Sequence, residues 1–247
     1  MSPTLWRVEH FDEIDSTNTY VKDRAHEAEG LVALADFQTV GRGRLDRHWE
    51  APARSSLLCS ILFRPVLETT QLQLFVALVA LSTRSALERL SGLRVALKWP
   101  NDLVVGGDKL AGLLAEIVSS GEALAVIVGI GVNLTYDGPA DVASSSVLAQ
   151  TGLTIAPRAL LDILLEEIDS RRALLDDQRG RGALRDEYLR ALATIDQQVR
   201  VEQSDHVVEG LAVGVDHEGR LLVEVEGEVQ TFAVGDVVHV RAHEDHR

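Results

Sequence analysis

Three apolar runs of strand length set the main limit on the fold. They are 31–37 (Leu-Val-Ala-Leu-Ala-Asp-Phe), 57–63 (Leu-Leu-Cys-Ser-Ile-Leu-Phe) and 124–132 (Leu-Ala-Val-Ile-Val-Gly-Ile-Gly-Val). Runs this short and this continuously apolar read as buried strands. Residues 70–90 carry a helical pattern, with Gly92 just beyond as a C-terminal stop. Short strands at 95–99 and 103–105 flank Pro100, and Gly106-Gly107-Asp108 turns the second of them into 110–118 as a hairpin. The stretch 31–132 is therefore mostly sheet with one long helix packed on it. Upstream, 6–11 reads as a strand. Asp15-Ser16-Thr17-Asn18 then offers N-caps for a helix over 19–28, closed by Gly30.

The pattern changes after 132. Residues 156–175 and 183–192 have helical spacing, with a polar, glycine-containing break at 179–182. After Asp196 short alternating strands follow at 199–202, 207–215, 221–225, 229–234 and 237–241, with turns at Asp216-His217-Glu218-Gly219 and Glu226-Gly227. Short strands this closely spaced predict a small barrel. The expected organisation is an α+β unit over 1–195, a mixed central sheet with packed helices, followed by a small β-barrel over 196–247.

Charge narrows the function. The chain has 38 Asp and Glu against 24 Lys and Arg, a net charge of −14. That field repels phosphate backbones, so general nucleic-acid binding is not expected and a local arginine cluster stands out. The single cysteine, Cys59, permits no intramolecular disulfide, which suits a reducing compartment. Its place in an apolar run makes it a core residue rather than a nucleophile. The first residues lack a basic start followed by an apolar core, and the longest apolar stretch, 72–81, falls short of the roughly 18 residues of a membrane span. These features read as a cytoplasmic protein.

Four clusters carry chemistry. In Gly41-Arg42-Gly43-Arg44-Leu45-Asp46-Arg47-His48-Trp49, glycines allow close backbone approach, three arginines can bind carboxylate and phosphate, and Trp49 can stack on a base or cover a site. Read alone, a solvated basic loop or an RNA-contacting segment fits it equally well. In Lys98-Trp99-Pro100-Asn101-Asp102, a lysine and an aspartate at a strand end suit a phosphate and a magnesium ion, or simply a turn. Lys109-Leu-Ala-Gly112-Leu-Leu-Ala-Glu116 puts a cation and a space-clearing glycine on a hairpin strand, ordinary hairpins having the same features. In Gly129-Ile-Gly131-Val-Asn133, glycines weaken an apolar strand unless something packs close or a bulge intervenes. There is no G-x-x-x-x-G-K-[ST] loop and no strand–G-x-G-x-x-G–helix, so any nucleotide site is built differently. His239, His243 and His246 lie in a charged tail and read as solvated rather than metal-binding.

In this order, together with Asp15-Ser16-Thr17-Asn18 and Gln38, the clusters closely resemble the motifs of the biotin protein ligases, the biotin–[acetyl-CoA-carboxylase] ligase family. The resemblance spans essentially the whole chain. It implies a class II synthetase-like catalytic domain with a C-terminal SH3-like barrel. It implies formation of biotinyl-5′-AMP from biotin and ATP, then transfer of biotin to one lysine of a biotin carboxyl carrier protein domain of acetyl-CoA carboxylase. Lys109 and Arg44 would be catalytic. Ser16, Thr17, Asn18, Gln38, Gly41, Arg42, Gly43, Arg44, Lys109 and Gly112 would bind biotin. Arg44, Arg47, Trp49, Lys98, Asn101, Asn133 and Arg241 would face ATP, and Asp102 would serve Mg²⁺. Some relatives carry an N-terminal DNA-binding domain. The Ser-Thr-Asn motif begins here at Ser16, so the expectation is the monofunctional type, without DNA or membrane, as a monomer or homodimer.

Two departures stand out. Asp46 occupies a position where the family usually has glycine, and Leu134 follows Asn133 where many members carry a second asparagine. The loop over 41–49 is expected to act as a lid over the adenylate. The rival readings are a lipoate-protein ligase and a non-catalytic biotin or adenylate sensor.

Overall fold

The structure is a computed structural model that describes residues 6–44, 47–65, 67, 71–120, 123–202, 207–233 and 236–239. Leu45, Asp46, Arg241, His243 and His246 lie outside the described residues.

A seven-stranded mixed sheet forms the larger part. Its strands are β1 (Arg7–Phe11), β2 (Leu31–Ala35), β3 (Ser56–Phe63), β4 (Ala96–Lys98), β5 (Asp102–Val105), β6 (Asp108–Ser120) and β7 (Ala123–Asn133), in the order β1-β2-β3-β7-β6-β5-β4. Only β1 and β2 run parallel; the other pairs are antiparallel. Side chains alternate across the central strands, as strand geometry requires. Leu57, Cys59, Ile61, Phe63, Val128 and Ile130 point to one face and join the main core. That face is covered by α2 (Gln73–Ser91), which packs on α4 (Pro157–Arg172) and α5 (Gln178–Ala191). On the opposite face α1 (Thr17–Asp23) covers only one end, where Val21 and Ala25 meet Leu31, Ala33, Leu62 and Ile127. The rest of that face carries the site.

The second sheet is five-stranded and antiparallel: β8 (Gln198–Glu202), β9 (Val207–Val215), β10 (Leu221–Val225), β11 (Glu228–Phe232) and β12 (Asp236–His239), in the order β11-β10-β9-β8-β12. β11 and β12 stand at its two ends and are not paired with each other among the described residues. Its apolar face (Val199, Val201, Ala212, Leu221, Val223) belongs to the same continuous core as the large sheet. Buried Trp99, at the end of β4, joins the two by donating its Nε1–H to the Gly219 carbonyl at 3.0 Å.

Three expectations need correction. The first helix covers Thr17–Asp23 rather than 19–28. Ser16 caps it, and past Asp23 the chain tightens into turns, with Arg24 N–H on Val21 O and Ala25 N–H on Lys22 O, while the Ala25 and Glu27 carbonyls accept from the Arg64 guanidinium. Gly30 is a loop residue (φ 98°) whose carbonyl accepts from Arg7 N–H at the entry to β2. The glycine-containing stretch 179–182 is no break. It lies in the first turns of α5, where Asp177 accepts from Gly180 N–H at 2.7 Å and a Cβ on Gly180 would sit 2.4 Å from the Leu174 carbonyl. One helix was not anticipated, the five-residue α3 (Val147–Thr151) capped by Ser146. The stretch 156–175 is α4 continued by a 3₁₀ turn over Ala173–Leu175.

Candidate active site

Register brings the separate clusters together. Leu58, Gly131, Gly112, Asp102 and Lys98 form one cross-strand row through β3, β7, β6, β5 and β4. Ser60, Gly129 and Leu114 form the neighbouring row. Directly paired residues share a face, so glycines floor the middle of the site and charged residues its β4–β5 end. Above them lies a cavity of about 450 Å³, the size of a small-molecule site. Its wall includes the Ser16-Thr17-Asn18 turn, the arginine loop, Lys98, Lys109, Asn133 and, from the second sheet, Glu202 and Val237.

The Ser-Thr-Asn turn is held by side chains. Asp15 Oδ1 accepts from Ser16 N–H at 2.6 Å, and Gln38 Oε1 accepts from Thr17 N–H at 2.7 Å. Thr17 Oγ1 lies 3.0 Å from Gln38 Oε1 and 2.7 Å from Ser60 Oγ, and Asn18 Oδ1 lies 2.6 Å from Ser60 Oγ. Asn18 Nδ2 donates to Leu114 O at 3.4 Å and to Glu116 Oε2 at 3.0 Å. Gly129 makes this possible, because a Cβ there would stand 2.2 Å from Asn18 Oδ1.

The arginine loop is braced. Gly43 N–H donates to Arg47 O at 2.7 Å and Trp49 N–H to Gly41 O at 3.0 Å. Gly41 is required, since a Cβ would meet the Trp49 carbonyl at 2.2 Å. Arg42 pairs with Glu116 at 2.8 Å, Arg44 Nη1 donates to Asn101 Oδ1 at 3.1 Å, and Arg47 lines the cavity. The Trp49 indole lies on the Gly131 backbone, where a Cβ would intrude to 2.4 Å. Its ring centroid is 5.8 Å from Lys109 Nζ, within cation–π range. Trp49 Nε1–H is buried with no acceptor among the described residues. Gly112 makes room for Trp49 and the Lys109 side chain, at 3.1 and 3.2 Å from a built Cβ.

Lys109 Nζ stands 2.7 Å from Asp102 Oδ1. Asn101 Nδ2 donates to Leu113 O at 2.7 Å, and buried Asn133 donates to Ser145 O at 3.1 Å. Burial alone would raise the Glu116 carboxyl, but Asn18, Lys22 and Arg42 outweigh it and hold the group below the usual carboxylate range. Burial pushes the Cys59 thiol up, as suits a core residue rather than a nucleophile.

Every site residue expected from the sequence and described here lies in or beside this cavity. Arg241 and Asp46 lie outside the described residues. Sequence reasoning missed Ser60, the partners of Glu116 and the anchoring role of Trp99. No group of three His, Cys, Asp or Glu side chains gathers among the described residues. A single carboxylate such as Asp102 is compatible with the way magnesium binds beside nucleotides, where phosphate oxygens complete its shell.

A glycine floor, a cationic end and a polar turn thus lie over one face of a mixed sheet, backed by a small antiparallel sheet. Residues 10–133 match the biotin/lipoate A/B protein ligase family, and residues 194–240 match the biotin protein ligase C-terminal domain. The chain belongs to the biotin protein ligase family. It is 34% identical over 236 residues to the biotin–[acetyl-CoA-carboxylase] ligase of Mycobacterium tuberculosis, covering 92% of this chain and 86% of that one. It is 28% identical to the bifunctional ligase/repressor BirA of Escherichia coli, covering 91% of this chain and 71% of that one. Among solved structures, the biotin protein ligase of Aquifex aeolicus in complex with biotin and ATP is similar, with a TM-score of 0.80 and 26% identity over 96% of this chain and 99% of that one. No helix among the described residues is long and apolar enough to cross a membrane.

Proposed function

We propose that this chain is a biotin protein ligase, joining biotin and ATP into biotinyl-5′-AMP and then passing biotin to a lysine of a carrier domain. One observation carries the reading: four separate motifs line one cavity whose polar turn and cationic end are spaced for a two-part ligand. From β3 to β4 is four strand spacings, about 19 Å. Biotin fits the Thr17–Gln38 end, and the triphosphate fits the end bearing Lys98, Arg44 and Arg47.

In the first step a biotin carboxylate oxygen attacks the α-phosphorus. The bond to the bridging oxygen breaks and pyrophosphate leaves. Both reactants are anions, so Lys109, Arg44, Arg47 and Lys98 lower the barrier by offsetting charge as they meet. Lys109 would contact the carboxylate and the acyl-phosphate oxygens. Magnesium held by Asp102 would neutralise phosphate charge. Asn101 orients Arg44, and Asn133 sits at the nucleoside side.

In the second step the carrier amine attacks the acyl carbon, the mixed anhydride opens and AMP leaves. No covalent bond to the ligase is needed. Trp49 and the loop over 41–49 would keep water from the anhydride. On this reading the units 1–195 and 196–247 are a catalytic domain and an SH3-like barrel, with Arg241 reaching ATP. The protein would act in the cytoplasm on acetyl-CoA carboxylase, as a monomer or homodimer that does not bind DNA.

The test is ATP–pyrophosphate exchange with biotin and lipoate in parallel. Exchange with biotin alone, absent in Lys109→Ala, is expected. Exchange with lipoate alone, or none with either acid, overturns the reading.

A further inference from the structure

The polar turn holds one hydrogen fewer than its contacts ask for. Asn18 is oriented by its two Nδ2–H bonds to Leu114 O and Glu116, so Oδ1 is the atom that faces Ser60. Gln38 is oriented by the Thr17 backbone N–H, which can only donate, so Oε1 faces Thr17. Between these two carbonyl oxygens stand two hydroxyls. The chain runs Gln38 Oε1 to Thr17 Oγ1 (3.0 Å), to Ser60 Oγ (2.7 Å), to Asn18 Oδ1 (2.6 Å). A hydroxyl has one proton to donate. Two protons cannot fill three gaps.

The gap left without a proton brings lone pairs together, and this costs least where the oxygens are furthest apart. Ser60 therefore donates to Asn18, and Thr17 donates to Ser60. Ser60 is fully buried, so solvent water does not reach it to supply another proton. Thr17 Oγ1 and Gln38 Oε1 are left as two acceptors side by side, on residues that both line the cavity.

We propose that Ser60 is a positioning residue that fixes the Thr17 hydroxyl as an acceptor, so that the Thr17–Gln38 pair selects a ligand N–H at this point and rejects an oxygen. This rests on the function proposed above, in which the cyclic urea of biotin supplies the N–H. Ser60 itself does not line the cavity and acts only through Thr17.

The test measures binding of biotin and its two cyclic-carbamate isosteres, each with one ring N–H replaced by oxygen. Titration calorimetry compares the wild-type protein with Ser60→Ala and Ser60→Cys. The wild-type protein is expected to bind one isostere about 100-fold or more weakly than biotin, because a site built for an N–H is left with facing lone pairs. In Ser60→Ala the Thr17 hydroxyl is released to donate to the ring oxygen, and the ratio is expected to fall at least about ten-fold. A purely structural role would weaken all three ligands together and leave the ratio unchanged. Ser60→Cys replaces the donor with a weak one at nearly the same volume, and shows the same direction should the alanine variant not fold. A ratio near one in the wild-type protein, or the same ratio in the variants, overturns this proposal while biotin binding leaves the functional reading standing. Failure of the wild-type protein to bind biotin overturns both.

Discussion

Lys109 Nζ and Asp102 Oδ1 face each other at 2.7 Å across the β5–β6 hairpin, so the cation proposed to meet the substrate carboxylate shares its charge with the carboxylate proposed for magnesium. The two roles are coupled. Lys109→Ala is expected to slow biotin-dependent pyrophosphate exchange by about 100-fold or more, the usual cost of removing one preorganised charge from a transition state. Lys109→Arg is expected not to restore it. The wider guanidinium must enter a slot where even a Cβ on Gly112 would lie 3.2 Å from the lysine. Steady-state exchange rates check both variants.

Glu116 collects Asn18, Lys22 and Arg42, tying the arginine loop to the polar turn. Its carboxyl lies below the usual range because these partners outweigh burial. Such a group stabilises the fold above its unfolded-state value and stops doing so as pH falls through its depressed folded-state value. Glu116→Gln is expected to cost about 1.5–3 kcal/mol at neutral pH, as for hydrogen bonds to a charged group. The gap between the two proteins is expected to close below about pH 4, near and under the ordinary glutamate value. Urea unfolding at a series of pH values measures it.

Gly131→Ala is expected to displace Trp49, since the new Cβ would stand 2.4 Å from the indole. Overpacking of this kind costs about 1–3 kcal/mol. Because Trp49 lines the cavity, biotin affinity is expected to fall about ten-fold or more, the same range expressed as binding. Gly129→Ala strikes Asn18 instead and is expected to disturb the polar turn rather than the indole. Calorimetric titration with biotin, alongside tryptophan emission, separates the two.

Trp99→Phe removes the hydrogen bond to the part-buried Gly219 carbonyl that ties the two sheets. The expected loss is about 1–3 kcal/mol in the urea midpoint. Pyrophosphate exchange well below the midpoint is expected to stay within a few-fold of wild type, because phenylalanine keeps an aromatic ring where Trp99 borders the cavity.

Periodicity and glycine placement made much of the fold legible. The apolar runs mark the buried strands, and Gly129 and Gly131 signal close approach from within β7. What approaches them was not legible, because Asn18 and Trp49 arrive from other parts of the chain and only the sheet register brings them there. Ser60 was hidden for a different reason: a small hydroxyl among apolar strand residues alters neither hydropathy nor period. The first helix is shorter than its spacing suggests, and local spacing cannot reveal that Arg64 holds the Ala25 and Glu27 carbonyls just beyond it. Gly180 at the start of α5 looks in sequence like a break because its close contact with Leu174 O, which favours glycine, resembles flexibility.

The continuity of the core through both sheets bears on how such chains can be recombined. A crossover between residues 195 and 198 would fall between the two sheets, yet it would divide a packed interior. Val199, Val201 and Leu221 lie in the same core as Leu97 and Trp99, and Glu202 and Val237 complete the cavity wall. A C-terminal sheet taken from a relative would therefore bring foreign packing and part of a foreign pocket together. Its success would depend on matched shapes around Trp99 rather than on a well-chosen linker.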